Sequence, residues 1–567
     1  MRFQWIVLFS LSVVLFSNCS QQESADFVLY NGKIVTLEDS APEVEAIAIK
    51  GDRILAIGSN VEIKTLISQT TTSVDLKGAL AIPGFIDSHA HLFNLGRARL
   101  SLDLATARTW AAVVEKVARA VKESEPGSWV VGRGWHQEKW DRLPEVTVEG
   151  YPVHKTLSAV SPDNPVFLKN SNGHAAFVNA KAMEVANVSA ATPNPPGGQI
   201  VRDGNGQATG AMLEEGERLF YASLEAEQTQ NPQAHLNKEK RAVALAAEEC
   251  LRKGITSLHE AGLLWDDIDL LKDLVERGEL PIRLWVMIGS DNQQLAAKAE
   301  SYKLHRAGDN RLTIGGVKAY MDGALGSRGA WLLAPYSDLP ESSGIPTITL
   351  DSLQKIANIA AAAGLQLGTH AIGDRGNREV LNVYEKTFQT YANAATNRWR
   401  IEHSQHLNPE DIPRFAELGV TASMQGVHCT SDGPWVPKRL GEERSESGAY
   451  VWRRLIDSGA LVVNGTDAPV EDINPLENFY SSVTRKMANG NAFYPEQRMT
   501  RMEALRSYTI DGAKSVFEDD IKGSLSVGKL ADITILSNDI LSVSDEELQQ
   551  TEVLYTIVGG KVAYQKK

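Results

Sequence analysis

Hydrophobic positions along this chain fall into two textures. From about 26 to 80, short apolar runs alternate with polar residues and are separated by tight-turn dipeptides. Phe27-Val28-Leu29-Tyr30, Asn31-Gly32 and Lys33-Ile34-Val35-Thr36 predict a hairpin. Ala46-Ile47-Ala48-Ile49-Lys50, Gly51-Asp52 and the run 53–57 predict a second. The same texture returns only near the C-terminus, where 532–536, 553–558 and 561–564 read as strands and Gly559-Gly560 as a turn. Two β-rich ends predict one small β domain built from 26–80 and 520–567.

Between them, over 81–519, apolar runs of strand length alternate with stretches of helical period. Candidate strands are 81–89, 254–259, 282–288, 313–318, 365–370, 399–403, 419–424 and 461–467. Helical patterns lie between them at 266–278, 350–363, 377–393 and 408–418. This alternation predicts a parallel α/β sheet or barrel, and eight strands is the count of a (β/α)8 barrel. The interval 92–250 is too long for one crossover. It holds strand-like pieces at 129–134 and 166–169 and a Gly/Pro-rich loop at 192–206, and reads as an insertion over the barrel top.

Candidate chemistry gathers at the C-terminal ends of these strands. The first ends in His89-Ala90-His91, and residues two apart on a strand point to one side, so two imidazoles form a ready clamp for a cation. The second ends in His259-Glu260, the fourth in Lys318, the fifth in His370, the sixth in Glu402-His403 and the eighth in Asp467. Barrel active sites sit on that face. Four His and one Asp there make a first shell suited to zinc or a similar borderline metal.

Composition adds bounds. The 567 residues are 43% hydrophobic and 23% charged, an ordinary globular balance. A net charge of −14 argues against nucleic acid as a partner. Arg2, the apolar run 6–16 and Ser17-Asn18-Cys19 read as a signal peptide, too short to span a bilayer. Cys19 occupies the lipidation position of a bacterial lipoprotein signal, and residues 20–25 read as a tether. The expectation is an exported protein of the periplasm or cell envelope, meeting the membrane only through that anchor. Cys250 and Cys429 make no disulfide framework.

The chain resembles the amidohydrolase superfamily, in the branch of YtcJ-like proteins and N-substituted formamide deformylases. The resemblance is carried by Val74-Asp75-Leu76-Lys77-Gly78 leading into Pro83-Gly84-Phe85-Ile86-Asp87-Ser88-His89-Ala90-His91, by Gly132-Arg133-Gly134-Trp135, and by Asn172-Gly173-His174 with Asn179. It continues through the Lys318 segment to Gly323, His370-Ala371-Ile372-Gly373-Asp374, Ile401-Glu402-His403, Pro495-Glu496-Gln497-Arg498 and Gly528-Lys529-Leu530-Ala531-Asp532. It implies a TIM barrel with a β-sandwich formed by both chain ends. It also implies two zinc ions, one held by His89, His91 and Asp467, the other by His370 and His403. Lys318, carboxylated by CO2, would bridge them. The implied reaction is hydrolysis of a non-peptide C–N bond of a small-molecule amide, with Asp467 as general base and then general acid.

His174 and Trp135, in the insertion, are candidates for substrate contact, and His174 also for oxyanion stabilisation. Asp322, Arg328 and Asp374 either orient the ligands or bind a polar substrate. His406, His428 and Cys429 are candidates only by proximity, and His428-Cys429 is assigned to packing, because the ligand set is already complete. Two alternatives remain: a mononuclear deaminase of the same superfamily, and a non-catalytic lipoprotein that binds a small molecule. A homo-oligomer is left open.

Overall fold

A computed structural model describes residues 24–137, 140–170, 175–195, 198–230 and 232–567. Eight parallel strands follow one another around a barrel: β1 (Phe85–Ala90), β2 (Ile255–Leu263), β3 (Arg283–Gly289), β4 (Leu312–Tyr320), β5 (Gln366–Ala371), β6 (Arg400–His403), β7 (Thr421–Gln425) and β8 (Val462–Gly465). Sequence order and spatial order are the same, as right-handed strand–helix–strand repeats require. The seam between β8 and β1 is closed past the strand ends. Asp467 N–H donates to the His89 carbonyl at 2.7 Å and His91 N–H to the Ala468 carbonyl at 2.8 Å. Gly465 permits this approach, since a Cβ there would lie 2.4 Å from His89 N.

The apolar strands read from the sequence are these strands, with one correction. The run 81–89 is two strands, not one. Leu80–Pro83 pairs with Lys33–Val35 and Ile533–Leu536, and β1 begins only after Gly84. At that joint a Cβ would lie 2.3 Å from the Thr256 side chain, so glycine lets the chain pass close to β2 as it changes sheet.

The chain ends form two sheets. Arg53–Gly58, Ala46–Lys50, Phe27–Tyr30 and Thr72–Asp75 make one; Lys561–Gln565, Val553–Val558, Ile533–Leu536, Leu80–Pro83, Lys33–Val35 and Glu43–Val44 make the other. Leu29, Ile47 and Ile49 of the first pack against Ile34, Ile533 and Ile557 of the second, all fully buried. The predicted hairpins at Gly51-Asp52 and Gly559-Gly560 form. The one at Asn31-Gly32 does not. Asn31, at φ 56°, turns the chain from one sheet into the other, so both flanking strands put an apolar side chain into the same core.

The insertion carries its own six-stranded sheet, in the order Gly198–Arg202, Ala208–Glu214, Ala175–Val178, Val166–Asn170, Val130–Trp135 and Leu102–Asp103. The loop predicted at 192–206 therefore contains a strand, in which Ile200 and Val201 are buried. Helix α1 (Leu92–Leu100) leaves the metal clamp and crosses α2 (Pro232–Arg252) at Gly96, where a Cβ would lie 2.0 Å from the Ala242 carbonyl. Cys250 is core on α2. Among the described residues no helix is long and apolar enough to cross a membrane.

Candidate active site

The barrel brings His89, His91, Lys318, His370, His403 and Asp467 to one end. His89 points inward from β1, and His91 is the first residue past it, capping α1. Asp467 follows β8 in a left-handed conformation, φ 57°. Its Oδ1 lies 3.4 Å from His89 Nε2 and 3.3 Å from His91 Nε2. Ligands about 2.0–2.1 Å from a tetrahedral zinc stand about 3.3–3.4 Å apart, so Oδ1 has that spacing from both nitrogens, and the ligand atoms of all three residues lie within 4.8 Å of one another. His89 Nε2 is buried and has no hydrogen-bond partner among the described residues, a costly state that a cation would relieve. This donor set fits a divalent metal.

The other imidazole nitrogens are held from behind. His89 Nδ1 lies 2.5 Å from Glu402 Oε2, and both side chains are fully buried. Glu402 in turn takes a two-pronged bond from Arg400, at 2.8 and 3.1 Å. Burial pushes the Glu402 carboxyl up, but Arg400 and His89 outweigh it and hold the group well below its ordinary value. Arg400 also donates to the Ser88 carbonyl at 2.6 Å and Ser423 Oγ at 2.8 Å, and its Nη1 lies 3.0 Å from His259 Nδ1. Glu260, at the end of β2, accepts from Leu92 N–H at 2.6 Å, and its other oxygen is 3.7 Å from His91 Nδ1. Burial opposes protonation of His91, yet Asp467 and Glu260 raise it to about 9. The carboxylates of Glu260 and Glu402 thus fix the orientation of the clamp.

Strand alternation would send Glu402 and His403 to opposite faces. Instead His403 has φ 76° and Ser404 φ 42°, and this left-handed turn swings His403 back over the barrel mouth. Its Nδ1 lies 2.9 Å from Gln425 Oε1 on β7. The His403 ring centroid is 4.4 Å from that of His370 and 4.8 Å from that of His89. Burial holds His403 well below its ordinary value; burial and the Lys318 charge lower His370 to about 3. Both imidazoles are therefore neutral and carry lone pairs.

Lys318 is 3% exposed, level with Gly289 on β3 and Gly368 on β5. Gly262 of β2 faces its stem, where a Cβ would come within 3.2 Å of the Lys318 Cβ and Cγ. Gly262 thus leaves space for this side chain. Burial lowers its ammonium to about 8.

Three residues given substrate roles from the sequence are otherwise occupied. Trp135 is fully buried in the insertion core against Trp140, Tyr151 and Phe177, with its Nε1–H donated to the Leu168 carbonyl at 2.8 Å, so no face is left for a substrate. Asp322 accepts the backbone N–H groups of Trp331, Ile372 and Gly373 at 2.8, 2.9 and 2.8 Å. It shapes the turns that follow β4 and β5, and burial pushes its carboxyl up to about 7. Arg328 makes a two-pronged bond to Asp338, at 3.2 and 2.9 Å, within its own loop. Asp374 accepts from Leu333 N–H at 2.9 Å. His174 and Cys19 lie outside the described residues.

Sequence reasoning gave Glu260, Glu402 and Gln425 no role. The first two stood beside candidate ligands at strand ends, which was the available signal; Gln425 had none. It also assigned His428 to packing. The structure instead places His428 Nε2 3.9 Å from Asp467 Oδ2, and His403, His428 and Asp467 form a second group of converging donors.

Residues 72–564 match the amidohydrolase family. Protein LONG AFTER FAR-RED 3 of Arabidopsis thaliana is 33% identical over 559 residues, covering 95% of this chain and 92% of its own. The N-substituted formamide deformylase of Arthrobacter pascens is 26% identical over 549 residues, covering 95% and 98%. The crystal structure of an uncharacterized metal-dependent hydrolase from Pyrococcus horikoshii superposes with a TM-score of 0.74 at 29% identity, covering 92% of this chain and 99% of the other. With a match that spans the whole barrel, its insertion and the C-terminal strands, this chain belongs to the amidohydrolase family and is a hydrolase.

Proposed function

We propose that this hydrolase opens a non-peptide carbon–nitrogen bond, that of an N-substituted amide or formamide, with two zinc ions at the barrel mouth. The observation that carries the reading is Asp467. Its Oδ1 lies 3.4 and 3.3 Å from the two Nε2 atoms of the clamp while its Oδ2 lies toward His428, so one carboxylate can hold a cation and handle a proton. His89, His91 and Asp467 would hold one zinc, His370 and His403 the other, and carboxylated Lys318 would join them. Zinc bound there supplies Lewis acidity, polarising a carbonyl and acidifying water.

Asp467 Oδ2 takes a proton from the attacking water as its oxygen bonds to the carbonyl carbon. It returns that proton to the nitrogen as the C–N bond breaks. Lys318 supports the two-metal reading. A bare ammonium beside a cation is repelled, whereas its neutral amine can add CO2, lose a proton and present two anionic oxygens. Desolvation of Lys318 enlarges the neutral fraction. The amide class is supported by the Arthrobacter relative, whose name describes formamide deformylation.

The test is hydrolysis of graded N-alkylformamides and N-acyl amines by zinc-loaded protein, with metal analysis alongside. We expect turnover, two metals per chain and a dependence of loading on bicarbonate. Two bound metals with no turnover across the panel would remove the amide assignment. One metal with turnover would favour the mononuclear reading. Export and lipidation at Cys19 remain part of the proposal; an unmodified mature N-terminus in mass spectrometry would remove the lipidation, and an uncleaved leader the export.

A further inference from the structure

We propose that His428 donates its Nε2–H to the substrate's carbonyl oxygen as that oxygen takes on charge, an assignment that rests on the hydrolytic reading above. His428 belongs to a short helix, Gly426–Asp432, that starts directly after β7. Its side chain is 9% exposed. Its Nδ1 lies 3.2 Å from Gln405 Nε2. An amide nitrogen can only donate, so Nδ1 accepts, and Nε2 is the nitrogen that carries a proton. That nitrogen is buried and has no partner among the described residues. The ring is nearly parallel to His403, at 18° with centroids 6.4 Å apart, and its Nε2 lies on the side of Asp467.

Distance and chemistry together distinguish a donor from a ligand. Asp467 Oδ2 is 3.9 Å from His428 Nε2, too long for a hydrogen bond. It is also wider than the about 3.3–3.4 Å edge of a tetrahedral zinc shell. A protonated Nε2 has no lone pair to give a metal. What remains is a proton acceptor and a fixed donor standing side by side at the barrel mouth. A carbon centre under attack needs both: Asp467 for the proton of the nucleophile, and a donor for the oxygen that becomes an alkoxide.

The experiment uses methylphosphonate, a tetrahedral oxyanion, titrated calorimetrically into zinc-loaded wild-type, His428→Leu and His428→Gln proteins, with metal content measured for each. We expect His428→Leu to bind it about tenfold or more weakly with metal content unchanged, and His428→Gln, which can present an amide N–H, to recover most of the loss. In hydrolysis, His428→Leu should lower kcat by about 10²–10³-fold, the cost of removing one oxyanion donor, with a smaller change in KM. If the leucine protein does not fold, Gln405→Met carries the test: the proton can then move to Nδ1, and affinity for methylphosphonate should fall severalfold. Unchanged affinity in these variants overturns the proposal. So does loss of a metal equivalent in His428→Leu, which would make His428 a ligand, and so does a loaded wild-type protein that does not bind the probe. Failure of the amide assignment is read separately, because phosphonate binding does not require the amide panel to be hydrolysed.

Discussion

Asp467 and Glu402 do different things to the same imidazole. Asp467 faces His89 Nε2 and would share its cation; Glu402 holds His89 Nδ1 from behind. Asp467→Asn keeps the shape and loses the base, so kcat should fall by about 10³-fold or more while part of the metal stays bound, measured by steady-state kinetics with metal analysis. Glu402→Gln should instead weaken metal affinity by about 10–100-fold, seen in competition with a chelator. The six proposed ligands were legible in the sequence because each stands at the end of an apolar run, where a polar residue is out of place. Glu402 was not legible as a support. Its use depends on a left-handed backbone at His403, which lets neighbouring residues serve the same site against strand alternation. Trp135 was misread for a related reason. A tryptophan in an insertion looks like a substrate contact until the insertion proves to have a core of its own.

At the scale of elements, two joints can be tested. Gly465 brings β8 against β1, and Gly465→Ala would drive a methyl into the His89 backbone. About 1–3 kcal/mol of stability should be lost in denaturant unfolding, together with metal, since the seam carries both His89 and Asp467. The helix Arg501–Ser507 is capped by Thr500 and Glu503, and Glu503 is also paired with Arg453. The Arg453 bond holds the Glu503 carboxyl at about 2. A carboxyl lowered by folding stabilises above its unfolded pKa and stops doing so as pH falls through its folded value. The contribution is therefore complete above pH about 4.5 and disappears toward pH 2. Glu503→Gln should cost roughly 1 kcal/mol at pH 7 and flatten the acid limb of the stability curve over that window. Strand order was readable because the apolar runs of a buried parallel sheet are continuous. Where two such runs abut, as at Gly84, nothing in the hydrophobic pattern marks the change of sheet. The Asn31-Gly32 turn misled in the same way, since a tight turn fixes direction but not which sheet the next strand joins.

At the scale of the molecule, barrel and terminal sheets are locked by Arg283 on β3 and Asp532. Two bonds of 2.6 and 2.9 Å join them, and both side chains are almost fully buried. Asp532→Ala leaves a guanidinium buried without its carboxylate and should cost about 3–5 kcal/mol, read by chemical denaturation. The joint at Gly84 has a consequence for the order of events in the cell. Leu80–Pro83 runs straight into the strand that carries His89, and its partner Ile533–Leu536 is made only after all eight barrel strands. Until that segment emerges, the strand just ahead of the clamp has an open edge, and Asp467 has arrived only shortly before. A nascent chain therefore holds its first two histidines for most of translation without the neighbours that set their geometry. The geometry that would hold a metal is therefore complete only once 533–536 has been made, and a chain cut before that segment should hold less zinc than the full chain, read by metal analysis.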